Sequence, residues 1–297
     1  MNFILVVLIL VFGFIFNWFK GSIDDHTQYL RKILQNFTPK MNSQEQQHGG
    51  HSRYQTPEPD DTPVVTAVVK KFYPHDRNAY TQGIIMVAGG DGKSYFESNG
   101  RYGYSDIREV ELETGRIIQQ YKMPKEYFAE GLTEHNGQLL QLTWKEHKVF
   151  EYNPLKLSAG PVKELEWPRE GWGLTSNGEQ LIVSDGSAKL YYLDPTTLDV
   201  ERIVDVKERV DGNLKLVRRL NELEWVDGYI YANVWHSTRV AVIRPETGLV
   251  EKWIELGALY PEKCIDETVA NGIAFDRKNG RLLVTGKLWP SIYEIEL

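Results

Sequence analysis

Gly131-Leu-Thr-Glu-His-Asn-Gly137 and Gly173-Leu-Thr-Ser-Asn-Gly178 are one phrase written twice. Each leads from a glycine through a short strand-like run into a tight turn. The phrase returns, varied, as Gly83-Ile-Ile-Met86, Glu222-Leu-Glu-Trp-Val-Asp-Gly228 and Gly272-Ile-Ala-Phe-Asp-Arg-Lys-Asn-Gly280. The spacing of about 40 to 50 residues is the length of a four-stranded propeller blade. A second mark precedes the outer strand of several units: Leu112-Glu-Thr-Gly115, Leu193-Asp-Pro195 and Arg244-Pro-Glu-Thr-Gly248. Between these marks lie short β-branched or alternating runs closed by Gly, Asn and Asp, such as Gln180-Leu-Ile-Val-Ser184 and Arg281-Leu-Leu-Val-Thr285. The expectation is an all-β, five-bladed propeller, with a β-sandwich of the same strands as the alternative.

The last unit leaves room for about three strands before the chain ends, and the extended run Val64 to Tyr73 has no blade of its own. That N-terminal strand is expected to close the last blade and so remove an unpaired inner edge.

Outward from the repeats, the chain divides in three. Residues 1–20 contain an apolar run, Phe3 to Phe19, at the short end of what spans a bilayer. It reads as a signal anchor or a cleaved signal peptide, giving contact with a membrane through the N-terminal segment and a location in the secretory pathway. Either the propeller is membrane-anchored and lumenal or extracellular, or it is secreted after cleavage. Residues 21–63 turn polar and rich in Gln, His and Pro, which reads as a stalk. They hold the sequon Asn36-Phe37-Thr38, followed directly by Pro39. Residues 64–297 are the folded, catalytic domain.

Of the 297 residues 41% are hydrophobic and 25% charged, ordinary for a chain with a full core. The net charge of −7 argues against nucleic-acid partners, which need a basic surface. The single cysteine, Cys264, forbids an intrachain disulfide and any zinc site built on several thiolates. It reads as inert packing. His75, His135, His147 and His236 lack a metal-binding spacing and read as loop residues. No cofactor and no metal is expected.

Functional residues of a propeller gather where successive blades reach the central channel. Thr81-Gln82-Gly83, Phe128-Ala-Glu130-Gly131, Glu170-Gly-Trp172-Gly173 and Leu220-Asn221-Glu222 precede the innermost strands. Leu142-Thr-Trp144, Asn233-Val-Trp235-His236 and Thr285-Gly-Lys287-Leu-Trp289-Pro290 follow the second strands. Trp144, Trp172, Trp235 and Trp289 are thus placed to ring one mouth, with Gln82, Glu130, Asn221 and Lys287 among them. Trp167, Trp225 and Trp253 read as core.

Phe72-Tyr-Pro-His-Asp-Arg-Asn-Ala-Tyr-Thr-Gln-Gly83, Glu97-Ser-Asn-Gly-Arg-Tyr-Gly103, Gly131-Leu-Thr133, Gly171-Trp-Gly-Leu-Thr175, Leu220-Asn-Glu-Leu-Glu224 and Val284-Thr-Gly-Lys-Leu-Trp-Pro290 resemble, in order, the plant-type (papaya-type) glutaminyl-peptide cyclotransferases. The resemblance runs from about Thr66 to Leu297. It implies a five-bladed propeller that converts the N-terminal glutamine of peptides and proteins to pyroglutamate, releasing ammonia without a metal. It also implies an active-site set: Glu130, Asn221 and Lys287 as catalytic residues, with Gln82, Trp144, Trp172 and Trp235 binding substrate. Tyr80 and Ala129 depart from the Phe and Gly the family leads one to expect. Two rivals are a non-catalytic propeller binding a peptide or partner, and a calcium-dependent lactonase-like propeller with Glu130, Asn221 and Asn271 as oxygen ligands. Five units rather than six count against the second.

Overall fold

Four of the five repeat openings are glycine because five inner strands have to crowd one axis. A Cβ on Gly83 would sit 2.6 Å from the backbone nitrogen of Leu132, in the next inner strand. One on Gly131 would strike Leu174 N, and one on Gly173 would strike Asn221 O. Gly272 adds a backbone φ of 129°, a conformation that L side chains rarely adopt. The fourth repeat carries Glu222 instead, and its buried carboxyl reaches the fifth inner strand, accepting from Ile273 N at 3.0 Å.

The computed structural model describes residues 60–87, 90–259 and 267–297. The N-terminal apolar run, nearly all of the stalk, its sequon and Cys264 lie outside the described residues. Among the described residues no helix is long and apolar enough to cross a membrane.

The inner strands are Thr81–Ile85, Ala129–His135, Leu174–Ser176, Leu220–Val226 and Ala270–Asp276. Each neighbours the next, and the last returns to the first. Each opens an antiparallel sheet that steps outward in chain order. In the last sheet the outermost place beside Ser291–Glu296 is taken by Val68–Pro74, the first long strand of the domain. Val64–Thr66 pairs in parallel with Val250–Glu255 of the fourth sheet. Hydrogen bonds reach back further still, to residues read as stalk: Thr62 N donates to Arg209 O at 3.0 Å, and Pro63 O accepts from Trp253 N at 2.8 Å.

Because every sheet is sandwiched between two others, both faces of its inner strands are buried. Successive residues of a strand point to opposite faces. Leu139 therefore packs with Ile107 and Phe150, against the first blade, while Leu140 packs with Leu174 and Val183, against the third. Ile84 and Ile85 divide in the same way between the fifth and second blades. This is why second strands such as Leu181–Ser184 and Arg281–Gly286 read as near-continuous apolar runs and not as half-polar alternation.

One element has no place in the five-unit repeat. Lys207–Val210 and Asn213–Leu216 form a hairpin between the third and fourth blades, turning at Asp211 and Gly212 with φ of 51° and 71°. Both positive values suit the tight turn that matches strand twist.

Candidate active site

Four of the inner strands break register at one equivalent place. The breaks lie between Thr81 and Gly83, Ala129 and Leu132, Leu220 and Leu223, and Ala270 and Ile273. A bulge re-aims the side chain it carries. Here it presents Gln82, Glu130, Asn221 and Asn271 at one level of the channel, and Trp172 takes the corresponding place in the third blade. The bulged peptides are held from the side. Ser98 Oγ donates to Glu130 O at 2.5 Å, Ser184 Oγ donates to Asn221 O at 2.7 Å, and Asn233 Oδ1 accepts from Gly272 N at 2.8 Å.

The result is a cavity of about 360 Å³, lined by Tyr80, Gln82, Phe128, Glu130, Trp144, Trp172, Asn221, Trp235 and Lys287. All seven residues expected from the sequence are brought together. Tyr80 and Phe128 were missed, although each stands two residues before a site residue, in an aromatic position shared by the first two repeats. Asn271 lies behind the lining, fully buried. Its signal was its repeat position. Trp289 is a correction: it is 3% exposed, packs on Tyr293 in the core between blades, and bonds Thr268 O. Leu288, with a φ of 62°, turns the chain so that the indole folds under Gly286 and away from the mouth.

The aromatic wall is braced as a unit. Trp172 meets Trp235 edge-on at 5.7 Å, and Phe128 meets Trp144 at 5.5 Å. Glu170 Oε2 accepts from both Trp144 Nε1 and Trp172 Nε1, at 3.1 and 3.3 Å. Apolar walls around a few convergent polar groups are the usual make-up of a small-molecule pocket.

Burial drives the electrostatics. It pushes the Glu130 carboxyl well above the ordinary carboxylate range, against the opposing pull of Lys287. It pulls the Lys287 ammonium down to about 8, against the opposing pull of Glu130. The ammonium stands 4.6 Å from the centre of the Tyr80 ring, a cation over an aromatic face. A carboxyl shifted up and an amine shifted down in one cleft mark acid–base chemistry. Glu130 Oε1 accepts from Gln82 Nε2 at 3.1 Å. Asn221 Oδ1 is buried with no hydrogen-bond partner among the described residues, so it is an acceptor open to an N–H of a bound molecule.

Beneath the first blade's contribution lies a charged group that the sequence reading did not find. His75 does lie in a loop, just after the strand Val68–Pro74, but it is no ordinary one: it is buried, with Nε2 2.7 Å from Glu97 Oε1 and Nδ1 2.7 Å from Trp289 O. Glu97, also buried, takes Arg108 Nε at 2.9 Å and Thr81 Oγ1 at 2.7 Å. His135 too is buried, beside Ser176 Oγ at 2.8 Å, in a polar cavity shared with Glu224 and Arg277. His147 and His236 are exposed. Among the described residues no three His, Cys, Asp or Glu side chains gather as a metal site.

Comparison with known proteins agrees with this geometry. A family model described as glutamine cyclotransferase matches residues 41–297. A glutaminyl-peptide cyclotransferase of Arabidopsis thaliana is 42% identical over 237 residues, which cover 77% of this chain and 70% of the relative. The crystal structure of a glutaminyl cyclase from Myxococcus xanthus superposes with a TM-score of 0.70 at 33% identity, over 80% of this chain and 98% of that one.

Proposed function

Because the chain belongs to the glutamine cyclotransferase family, we propose that this cavity cyclises the N-terminal glutamine of peptides and proteins to pyroglutamate, releases ammonia, and does so without a metal. The observation that carries the reading is a buried carboxyl raised by desolvation beside a lowered lysine in an aromatic-walled cavity.

The chemistry follows from these groups. The substrate's α-nitrogen, in its neutral form, attacks the carbon of its own side-chain amide. A C–N bond forms and the carbonyl electrons move to oxygen. Lys287 is the cation placed to stabilise that oxyanion. The departing nitrogen needs a proton, because amide anion is too basic to leave. Glu130, whose carboxyl burial raises well above the ordinary range, donates that proton as ammonia departs. Its carboxylate then takes the extra proton from the ring nitrogen and is restored. The raised carboxyl favours giving first and taking second. The orphan oxygen of Asn221 suits a substrate N–H rather than an oxyanion. The aromatic wall excludes water and holds the chain in a ring-closing conformation, which contributes strongly to such a reaction.

The direct test is mass spectrometry of a Gln-initiated peptide incubated with the enzyme and a strong chelator. The expected result is loss of ammonia at an undiminished rate. Activity that vanishes with chelator and returns with zinc would contradict the metal-free reading, and an unchanged peptide without chelator would favour the non-catalytic binding propeller.

The pH profile supplies a second test. The α-amine of a peptide ordinarily titrates at about 7.7–8.0, and Lys287 at about 8. kcat/KM should rise as the substrate amine loses its proton and fall as Lys287 loses its own, giving a bell centred near pH 8. Lys287→Arg keeps its charge to well above pH 10. Its alkaline fall should move upward by more than about one pH unit; a limb that stays put would remove Lys287 from the oxyanion role.

The apolar run Phe3 to Phe19 and the polar stretch after it support a secretory-pathway location, with the propeller tethered at a membrane or released from it.

A further inference from the structure

Asn271 is not itself part of the cavity lining, yet it stands at the start of a line of hydrogen bonds that ends on Glu130. Its Nδ2 lies 2.9 Å from Thr81 O and 3.1 Å from Gln82 Oε1. Gln82 Nε2 in turn lies 3.1 Å from Glu130 Oε1. All three side chains are at least 95% buried, so water does not relieve a mismatched pair.

The direction of this line is set at one end. A backbone carbonyl only accepts, so the atom of Asn271 that faces Thr81 O has to be its NH2. The same NH2 faces Gln82, which has to answer with its oxygen. That turns the NH2 of Gln82 toward Glu130, and the facing carboxyl oxygen, Oε1, has to accept. A carboxyl oxygen accepts better as the carbonyl than as the hydroxyl, so the proton that Glu130 gives is placed on Oε2.

We infer that Asn271 is a positioning residue for the reaction: through Gln82 it fixes which oxygen of Glu130 carries the proton that goes to the leaving nitrogen. This rests on the proposed role of Glu130. Without Asn271 the Gln82 amide is free to turn over. Its oxygen would then face Glu130 Oε1, accept the carboxyl proton, and hold it away from the substrate.

The test is a double-mutant cycle on turnover of a Gln-initiated peptide. Asn271→Leu and Gln82→Met should each lower kcat by about tenfold or more, with KM changed less than about twofold. The pair together should fall no further than Gln82→Met alone, because Asn271 acts only through Gln82. Fully additive losses, a normal kcat in Asn271→Leu, or an effect confined to KM would each overturn the inference. Should Leu impair folding, Asn271→Asp keeps the shape, reverses the polarity when ionised, and enters the same cycle. Glu130→Gln is measured alongside. A normal Asn271→Leu beside an inactive Glu130→Gln removes Asn271 alone, whereas a fully active Glu130→Gln removes the premise.

Discussion

Glu130→Gln should lower turnover by roughly 10²–10⁴-fold, the loss typical of a missing general acid–base, and leave folding and peptide binding in place. Glutamine keeps the volume of the side chain and a carbonyl oxygen that still accepts from Gln82 Nε2, the one hydrogen bond of the Glu130 carboxyl among the described residues. The bulge that aims the residue is held through its backbone, by Ser98 Oγ on Glu130 O and by Trp172 O on Gly131 N, and neither contact depends on the carboxyl. What the substitution removes is the proton.

Steady-state kinetics of the two proteins, with thermal unfolding as the control, decides the matter. A drop in kcat with KM nearly unchanged fits the proton shuttle. An effect on KM alone would make Glu130 a binder of the substrate amine. Near-normal turnover would remove it from the mechanism and send the search to Glu170, which already binds two of the site's tryptophans.

Much of this site could be read in the chain because a propeller repeats its geometry. Gln82, Glu130 and Asn221 each stand one residue before the repeat opening, and that phase is the level of the bulge. Trp144 and Trp235 follow second strands in the same phase. Asn271 obeys the same rule and was nevertheless left out, since a buried amide two bonds away from the chemistry has no local mark. Lys287 holds that phase in the last blade; Trp289 stands two residues beyond it, and one positive φ at Leu288 sends its indole inward. The hairpin at 207–216 hid inside a third repeat no longer than the fourth, though Asp211-Gly212 is a strong turn signal. The His75–Glu97–Arg108 group was out of reach for another reason. Its members come from two strands of the first blade and the loop after Val68–Pro74, and only the register that pairs Glu97 with Arg108, with Val68–Pro74 beside the last blade, brings them together.

That group carries the second large effect. Glu97→Ala should cost about 3–5 kcal/mol of stability, because it leaves the Arg108 guanidinium and the His75 ring buried without their counter-charge. For a domain of this size that is a fall of about 6–20 °C in Tm. Glu97 is 0% exposed and Arg108 5%, so solvent does not screen the pair. Two other acids act on Arg108: Asp76, 3.0 Å from its Nη1 at the surface side of the group, and Asp106. The pH dependence has a definite sign. Burial alone would raise the Glu97 carboxyl, but Arg108 and His75 outweigh it and hold it well below the usual carboxylate range. Its share of stability is thus complete above the ordinary value of about 4.3 and is lost as pH falls through the lowered one. Burial alone would lower His75, but Glu97 outweighs it and raises the ring. That share is complete below the ordinary value of about 6.5 and is lost as pH rises through the raised one. The gap in Tm between wild type and Glu97→Ala should therefore be widest at about pH 5–6.5 and narrow on either side. Activity should fall with the fold margin, because Thr81, bonded to Glu97, adjoins Gln82. Thermal unfolding from pH 3 to 9 measures the gap directly. A Glu97→Ala protein that melts within a degree or two of wild type across that range would show that the buried group contributes specificity of packing but little stability.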